Sequence, residues 1–506
     1  MEICEKNRCT GCQACMNICP MDAISFHEDL KGFLYPEVSE KCVGCNACQR
    51  VCPRNTGVQL NQREPVVYAA FTKNKATRKN SSSGGMFTEL AKSVLEKGGI
   101  IYASKLSEDC KSVVFDSCNT VEDLAKFQGS KYVQSQPGLI FRQVKETLLT
   151  GREVLFIGVP CQVDGLKKYL NKEYSNLLVV DIICHGVPSP KLWRDYCTYL
   201  EEINGAKAVN ISYRYKKPNW TRFSLKVDFD NNKSYVRSKF DDPYLISFLK
   251  EISMRENCYS CEYTSTYRTG DITLADFWGY HSYDFKMRNT EKGISLVMIN
   301  TEKGQIAFEN IKSEIVFQER TIKEAIGGNR SLKEPWKKNP VSEEFWHEYI
   351  QGEGMKKAFE EYDLASSSDY IRDMRINEKL GTLLTLLMEQ SWHPESMTVS
   401  RKRLELASVK VYLDEHYTGK IALDDLSEHF FINKFYLSKI FKETYGTTVN
   451  NYLISKRITR AKQLLRFTDM TVDEVGAAVG MGDANYFSRM FRKVEGISPR
   501  EYRKQW

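Results

Sequence analysis

The sequence lacks long hydrophobic runs and has no cysteine in its last 245 residues. Its longest apolar stretches, around Val154–Val159 and Leu177–Cys184, are much shorter than the about 20 residues of a membrane-spanning helix. The N-terminal residues Met1–Lys6 are charged from the start and contain no apolar segment of a secretory signal. We therefore expect a chain that does not enter a membrane and that stays in the cytoplasm.

Cysteine and positive charge are unevenly distributed along the 506 residues, a length that suggests roughly three domains. All 16 cysteines lie between Cys4 and Cys261. Residues 401–506 carry 19 Lys and Arg against 13 Asp and Glu, whereas residues 1–400 are almost balanced, at 53 to 52. Cysteines at this density in a cytosolic chain favour metal or redox chemistry over disulfides.

One cysteine spacing, C-x2-C-x2-C-x3-C-P, occurs twice in the first 58 residues. Three thiolates at this spacing can hold one 4Fe–4S cluster while the fourth ligates its neighbour. This predicts a first cysteine set of Cys9, Cys12, Cys15 and Cys52, and a second cysteine set of Cys42, Cys45, Cys48 and Cys19. Zinc is the alternative, but four-ligand zinc sites generally use two separated C-x2-C pairs. The pattern resembles a bacterial two-cluster ferredoxin, so we predict an α+β ferredoxin-like domain at 1–58.

The next region alternates β-rich runs with helical patterns, which predicts an α/β domain with a partly parallel sheet. The predicted strands are Val66–Thr72, Ile100–Ala103, Val113–Cys118, Val154–Val159 and Leu177–Ile183. The predicted helices are Met86–Lys97, Leu139–Leu149 and Val163–Leu170. Ligands of such sheets bind beyond the carboxyl ends of the strands. There the segment Ser81–Gly85 could cradle a phosphate before a helix, although an ordinary turn is the alternative.

Four more cysteines follow, and we name them the third cysteine set: Cys161, Cys184, Cys258 and Cys261. From the residues alone, either they converge on one site or they are inert buried thiols with a chance C-x2-C pair. His185 beside them either donates a hydrogen bond to a cofactor or holds the backbone of its loop, which we favour. The other cysteines, Cys4, Cys110, Cys118 and Cys197, fit no ligand pattern.

Five ordered motifs in residues 64–364 are similar to those of the coenzyme F420 hydrogenase/dehydrogenase β-subunit family. They are Ser82–Phe87, Gly129–Ser135, Gly158–Gln162, Cys184–Pro190 and Ala275–Gly279. The resemblance implies an iron–sulfur flavoprotein that moves electrons between FeS centres and a small acceptor. It implies a third 4Fe–4S cluster on the third cysteine set, and FAD contacts at Ser83, Gly84, Gly85, Ser130 and Lys131. Ala275 stands where we expect glycine, and its Cβ narrows the space for a close approach of the backbone to the cofactor.

Residues 365–402 are predicted to form a linker with one amphipathic helix. Its apolar positions recur at helical spacing, at Ile376, Leu380, Leu383, Leu384 and Leu387. This stripe favours docking on the same chain, with the seam of a homodimer as the alternative.

The C-terminal segment 403–506 contains an internal repeat with an offset of 50 residues, because 436–442 matches 486–492. Each copy predicts a helix, a turn and a polar, basic second helix, the geometry that enters a major groove. A helical array without DNA contact is the alternative. The segment resembles the AraC-type DNA-binding domain, which implies an all-α double helix-turn-helix and double-stranded promoter DNA as the partner.

Within each second helix, early residues reach base edges and later basic residues meet phosphate. The predicted base contacts are Lys434, Tyr436, Asn485 and Arg489. The predicted phosphate contacts are Lys439, Lys442, Arg492 and Arg503. If both helices insert, they occupy successive major-groove faces about 10 bp apart.

Two functional hypotheses follow for this multidomain chain. The first is a sequence-specific DNA-binding transcription regulator whose iron–sulfur and flavin part senses redox state or an electron-transfer partner. The second is an iron–sulfur flavoprotein oxidoreductase that passes electrons between ferredoxin-type clusters and a small acceptor, with a secondary DNA-binding tail. No catalytic residue is predicted from the sequence.

Overall fold

The computed structural model describes residues 1–278, 280, 292–351, 358–359, 400–419, 421–430 and 432–504. Contacts divide the chain into two compact units, Met1–Met374 and Arg375–Trp506. Gly279 of the fifth motif and the predicted helix of the linker lie outside the described residues. Within the described ranges, no helix combines the length and apolar character needed to cross a membrane.

The first 58 residues form a small α+β arrangement in which one pattern occurs twice. Its elements are α1 (Ala14–Ile18), β1 (Ile24–Glu28), β2 (Leu34–Val38), α2 (Ala47–Val51) and α3 (Pro53–Thr56). β1 and β2 form an antiparallel hairpin. In each copy the residue before the short helix, Gln13 or Asn46, has left-handed backbone with φ of 63° or 58°. The chain therefore turns into a helix directly after the second cysteine of each copy.

The rest of the first unit is built on two sheets. Its strands are β3 (Val66–Thr72), β4 (Ile100–Leu106), β5 (Val113–Cys118), β6 (Val154–Gly158), β7 (Leu177–Ile182), β8 (Ala208–Tyr215), β9 (Ser224–Phe229), β10 (Ser234–Ser238), β11 (Ile272–Asp276), β12 (Ser295–Ile299) and β13 (Ile315–Arg320). The large sheet has the order β13-β3-β12-β11-β7-β6-β4-β5, and β8–β10 form a separate antiparallel sheet. Neighbours from β11 through β7 and β6 to β4 are parallel, which confirms the predicted α/β domain with a partly parallel sheet.

Helices pack on both faces of the large sheet and against the β8–β10 sheet. They are α4 (Lys75–Asn80), α5 (Met86–Leu95), α6 (Ile140–Leu149), α7 (Pro160–Leu170), α8 (Pro190–Asn204), α9 (Pro243–Leu249), α10 (Glu302–Ile311), α11 (Ile322–Gly328) and α12 (Ser342–Ile350). Side chains alternate along a strand, so Leu155 packs in the core under α5 and α10 while Phe156 packs in the core under α6 and α7. The second of these cores also contains Cys12 and Val51, so the N-terminal 58 residues pack onto the α6–α7 layer.

The predicted elements differ from the observed ones mainly at their ends. β4 continues to Leu106 because it pairs with β5 over that length. α5 ends at Leu95, since Gly98 and Gly99 follow it closely. α7 begins at Pro160 rather than Val163, because proline fits the first position of a helix. The antiparallel sheet β8–β10 was not predicted.

The second unit is entirely helical where it is described. Its helices are α13 (Ser400–His416), α14 (Leu423–His429), α15 (Lys434–Tyr445), α16 (Val449–Phe467), α17 (Val472–Ala478), α18 (Ala484–Glu495) and α19 (Pro499–Lys504). One small core lies around Phe441 and another around Phe491. α15 and α18 each end at a left-handed glycine, Gly446 or Gly496, the usual helix C-cap. The predicted all-α repeat is confirmed.

Candidate metal centres and nucleic-acid interface

The first cysteine set lines a cavity of about 320 Å³. Its four thiols are each only 8% exposed. Burial, followed by the negative charges of Cys52 and Cys9, raises the pKa of Cys12 to about 12. Burial also raises the pKa of Cys15. Cys4, which fits no ligand pattern, lines the same cavity, and hydrogen bonds from its thiol lower the pKa of Cys9 to about 6 and that of Cys52 to about 7. Cys12 and Cys15 need a bound cation to become thiolates, which an iron–sulfur cluster would supply.

The second cysteine set lines another cavity, of about 350 Å³. Here Cys19 of the first copy lies with three cysteines of the second copy, and the Ala23 N–H donates to Cys19 Sγ at 3.3 Å. Cys48 is buried, whereas Cys45 is exposed. In each of these two cavities the structure therefore places three cysteines from one copy of the spacing and one cysteine from the other copy, as predicted.

In the first and second cysteine sets, the thiols line a cavity and do not converge on a single atom position. In the described parts of the chain, no three His, Cys, Asp or Glu side chains converge closely enough to hold a single metal ion. Zinc needs four ligands at about 2.3 Å from one centre, so this arrangement fits a cluster better than zinc.

The third cysteine set lines a cavity of about 680 Å³ at the carboxyl edge of the large sheet. Cys161 follows β6 in the first turn of α7, and Cys184 follows the parallel neighbour β7. Burial, and then the charge of Cys261, raises the pKa of Cys258 to about 12. The structure thus brings the four cysteines together at one cavity, rather than leaving them scattered as separate buried thiols.

His185 lines the same cavity but has a partner that neither expectation named. Its Nε2 lies 3.3 Å from Glu251 Oε1. Its ring packs against Trp336 and Phe248, with centroid distances of 4.6 and 5.0 Å. The two aromatic rings therefore hold the imidazole beside Glu251, although Nε2 is buried without a hydrogen bond.

The predicted flavin contacts lie near one another. Ser130 N donates to Ser82 Oγ at 2.6 Å, which joins the two motifs. Ser83 Oγ donates to the Ile294 carbonyl at 2.7 Å. Lys131 Nζ donates to two main-chain carbonyls, and burial lowers its pKa to about 7.

Both glycines of this loop have a packing reason. A Cβ on Gly84 would lie 2.4 Å from the carbonyl oxygen of Ala70, and the Gly84 N–H donates to Ser295 Oγ at 2.9 Å. Gly85 has a φ of +91° and caps α5. The polar groups of Ser83, Gly84 and Lys131 are thus already engaged within the protein.

A basic group that sequence reasoning missed surrounds this loop. Lys216 Nζ donates to the Ser83 carbonyl at 2.7 Å, and burial lowers its pKa to about 7. Arg214 pairs with Asp276 at 2.6 Å. Burial, and then Arg214, lowers the pKa of Lys239 to about 8. Asp276 thus pairs with Arg214, and Lys216 and Lys239 are basic side chains close enough to feel both charges.

In the second unit, α14–α15 and α17–α18 form two helix-turn-helix pairs. Asn433 caps α15 and Asp483 caps α18 through their side chains. Most predicted DNA contacts are exposed, namely Tyr436, Lys439, Lys442, Asn485, Arg489 and Arg492. Each second helix therefore presents polar, mostly basic side chains away from its own core.

Two predicted contacts have partners within the domain. Lys434 is half-buried, with Nζ 2.9 Å from Asp424 Oδ1. Arg503 donates from Nε to the Leu465 carbonyl at 3.2 Å and from Nη2 to the Met470 carbonyl at 2.5 Å. The guanidinium of Arg503 thus satisfies carbonyls at the end of α16 and in the segment after it.

Sequence reasoning missed Phe435, the second residue of α15. Its side chain is 76% exposed, although the residue is large and apolar. The offset of 50 residues pairs Phe435 with Asn485, a predicted base contact. The repeat register was the signal that could have identified it.

Four family models match the chain. They are a 4Fe-4S dicluster domain at 8–56, the N-terminal part of the coenzyme F420 hydrogenase/dehydrogenase beta subunit at 67–139, its C-terminal part at 151–325, and a helix-turn-helix domain at 426–505. These matches confirm the three resemblances. The chain carries a 4Fe–4S dicluster domain, a β-subunit-like middle region and an AraC-type DNA-binding domain.

Relatives match the C-terminal part. The uncharacterized HTH-type transcriptional regulator YijO of Escherichia coli K12 is 38% identical over 109 residues, which is 22% of this chain and 38% of that protein. YisR of Bacillus subtilis, described in the same words, is 41% identical over 93 residues, 18% of this chain and 32% of that protein. The chain thus spans about a third of the length of these curated relatives.

A solved structure is similar to the first unit. A chain of the F420-reducing NiFe hydrogenase complex from Methanosarcina barkeri is 18% identical, with a TM-score of 0.37. The similarity covers 55% of this chain and 89% of that chain.

Proposed function

We propose that this protein is a sequence-specific, AraC-type transcription regulator that binds double-stranded promoter DNA. The observation that carries the proposal is the repeated helix-turn-helix, in which α15 and α18 have matching caps and matching exposed faces. The inner faces supply Leu437, Phe441, Phe487 and Phe491 to the two cores. Their outer faces are left for DNA, and the excess of Lys and Arg in this segment favours the phosphate backbone.

We further propose that the first unit is the redox sensor of this regulator. Each cysteine set would hold one 4Fe–4S cluster, and such clusters take up or release one electron. The Ser82–Gly85 loop, Ser130, Lys131 and Lys216 would line the FAD site, and the two lysines would supply positive charge for its anionic groups. Burial keeps water away from the first set, and the lowered pKa of Lys216 lets an anionic ligand bind together with a proton.

An oxidoreductase function is the second candidate. The exposed Cys45 at the second cavity favours it, because an external electron-transfer protein could approach a cluster there. The two candidates differ in what the electrons accomplish. An enzyme would deliver them continuously to a small acceptor, whereas a sensor needs only one change of state.

The experiment is DNA footprinting with protein purified without oxygen and loaded with iron, sulfide and flavin. Site selection first identifies the DNA sequence, and binding is then compared for oxidised and dithionite-reduced protein. A sensor is expected to change its affinity or footprint with cluster oxidation state, and a variant without the third cluster should lose that change. Steady turnover of reduced ferredoxin or a deazaflavin with unaltered DNA binding would instead favour the enzyme.

A further inference from the structure

A single loop, residues 9–12, separates the first cavity from the third. Thr10 lines both cavities. Gln134 also lines the third cavity, and its Nε2 donates to the Thr10 carbonyl at 3.3 Å. Gly11 has a φ of +72°, and a Cβ there would lie 2.4 Å from Gln134 Nε2. The loop backbone is therefore pressed against the wall of the third cavity.

Helix α7 approaches the same boundary from the middle region. A Cβ on Gly165 would lie 3.0 Å from Cys12 Sγ. Glycine is a poor residue for a helix interior, so the close approach to Cys12 is the physical reason for it. α7 also carries Cys161 in its first turn. By contrast, the second cavity shares no lining residue with the third.

Arg255 joins the two sites through main-chain contacts and is only 1% exposed. Its Nε donates to the Cys9 carbonyl at 2.8 Å, and its own carbonyl accepts from the Cys258 N–H at 2.9 Å. Its guanidinium lies 4.1 Å from the ring centroid of Tyr35. Across the described ranges it has no carboxylate partner, and its Nη2 is buried without a hydrogen bond. Its Nη1 donates to Gln134 Oε1 at 3.2 Å. A buried positive charge without a carboxylate partner among the described residues thus lies between a cysteine of the first set and one of the third.

We propose that Arg255 raises the reduction potential of both the first and the third cluster, between which electrons would pass across the loop 9–12. The proposal rests on the proposed function, since each cysteine set must hold a cluster. In the step, one electron would leave the cluster held by the first set, which would be oxidised, and reach the cluster held by the third set, which would be reduced. No bond forms or breaks and no proton moves. The electron comes from a low-potential one-electron donor, supplied as dithionite in the test.

The physical reason for the effect of Arg255 is charge. A cluster becomes more negative when it is reduced, and a fixed cation in a buried, poorly screened position stabilises that form. Electrons would then pass from the second cluster, which is nearest the surface because Cys45 is exposed, to the first cluster and on to the third. Arg255 is a positioning and tuning residue because it touches the main chain of cluster-binding residues.

The test is a redox titration of the full loaded chain, monitored by electron paramagnetic resonance. Arg255→Gln removes the charge, and Arg255→Lys keeps it. We expect Arg255→Gln to shift the one-electron equilibria of the first and third clusters at least tenfold toward the oxidised form, about 59 mV each. The second cluster should not move, and Arg255→Lys should retain most of the parent potential.

Arg142→Gln is the matched control at the same interface. Arg142 donates from Nη2 to the Cys19 carbonyl at 2.9 Å, so it lies beside the second set. Its loss should leave the potentials of the first and third clusters unchanged. If all three clusters are present and Arg255→Gln leaves every potential in place, the role of Arg255 is refuted.

Magnetic coupling tests the relay without depending on the folding of Arg255→Gln. In the reduced parent, we expect spin–spin broadening between the first and third clusters, and Gly165→Ala should weaken it because its methyl group pushes α7 from Cys12. If the parent protein contains about 12 irons but shows no spin–spin coupling between the first and third clusters, the relay is refuted, although the three proposed clusters are not. A parent with about 8 irons refutes the third cluster itself, and with it the relay.

Discussion

Phe435 is expected to recognise thymine through its C5-methyl group. The ring stands on the second residue of α15, where early residues of a recognition helix reach base edges. It is 76% exposed and belongs to neither core of the domain. The thymine methyl is the apolar feature that the major groove offers to such a side chain.

The size of the effect follows from the area involved. One buried methyl contributes about 0.8 kcal/mol, so replacing thymine by uracil should weaken binding by about fourfold. A phenyl side chain buries about 150 Å² or more. If one face of the ring is covered, Phe435→Ala should cost about 2 kcal/mol, or about 30-fold in Kd.

The assay is a double-mutant cycle by fluorescence anisotropy, with a duplex taken from binding-site selection. The parent and Phe435→Ala are each titrated against duplexes with thymine or uracil at the selected position. We expect uracil to weaken the parent but to have no effect on Phe435→Ala, which is coupling of the kind that such cycles isolate. Equal uracil effects in both proteins would refute the contact.

Val411→Ala is the control for a general apolar effect. Val411 is 53% exposed but lies on α13, outside both helix-turn-helix pairs. Its substitution should change neither the affinity nor the uracil effect. Thermal unfolding should be unchanged for Phe435→Ala, because the ring makes no core contact.

Four further outcomes are expected. Cys258→Ser should lower the iron content from about 12 to about 8 per chain, whereas Cys118→Ser, a buried thiol outside the three sets, should not. Lys442→Ala should weaken all DNA sequences alike and reduce the salt slope of log K by about 1, measured from 50 to 200 mM salt. Asn485→Ala should cost about 1–3 kcal/mol at one base position and leave other preferences intact in binding-site selection. Burial lowers the pKa of Lys216 to about 7, so its charge is lost above that pH; FAD binding by calorimetry should weaken from pH 6 to 8, and Lys216→Met should flatten that dependence.

Local spacing made much of the fold predictable. The exchange of Cys19 and Cys52 between the two copies follows from the number of residues between cysteines, and the structure groups these residues accordingly. β3 and β5 have the predicted bounds because short, apolar β-rich runs with turns at both ends indicate strands directly. The ligand roles of these cysteines remain predictions.

Long-range contacts were not predictable from the sequence. Lys216 lies beside the Ser82–Gly85 loop although more than 130 residues separate them, and no local pattern marks it. Arg255 faces Cys9 across 246 residues. The hydrogen bonds of Arg503 to carbonyls near the end of α16 were also not predicted, and its phosphate contact remains a prediction. The sequence alone did not indicate that the side chain of Phe435 is exposed.

The unequal burial of the cysteine sets also determines where chemical damage would begin. Cys45 lies at the surface, while the four thiols of the first set are shut between the N-terminal layer and α7. Oxygen or a chelator would therefore reach the second site before it reaches the first. If the proposed clusters are present, a protein that loses the outermost one would lose its contact with an external donor while its inner centres stay intact. Exposure to air would then stop electron transfer from the donor before it damaged the inner clusters. Rebuilding the cluster at the surface would be enough to restore that transfer.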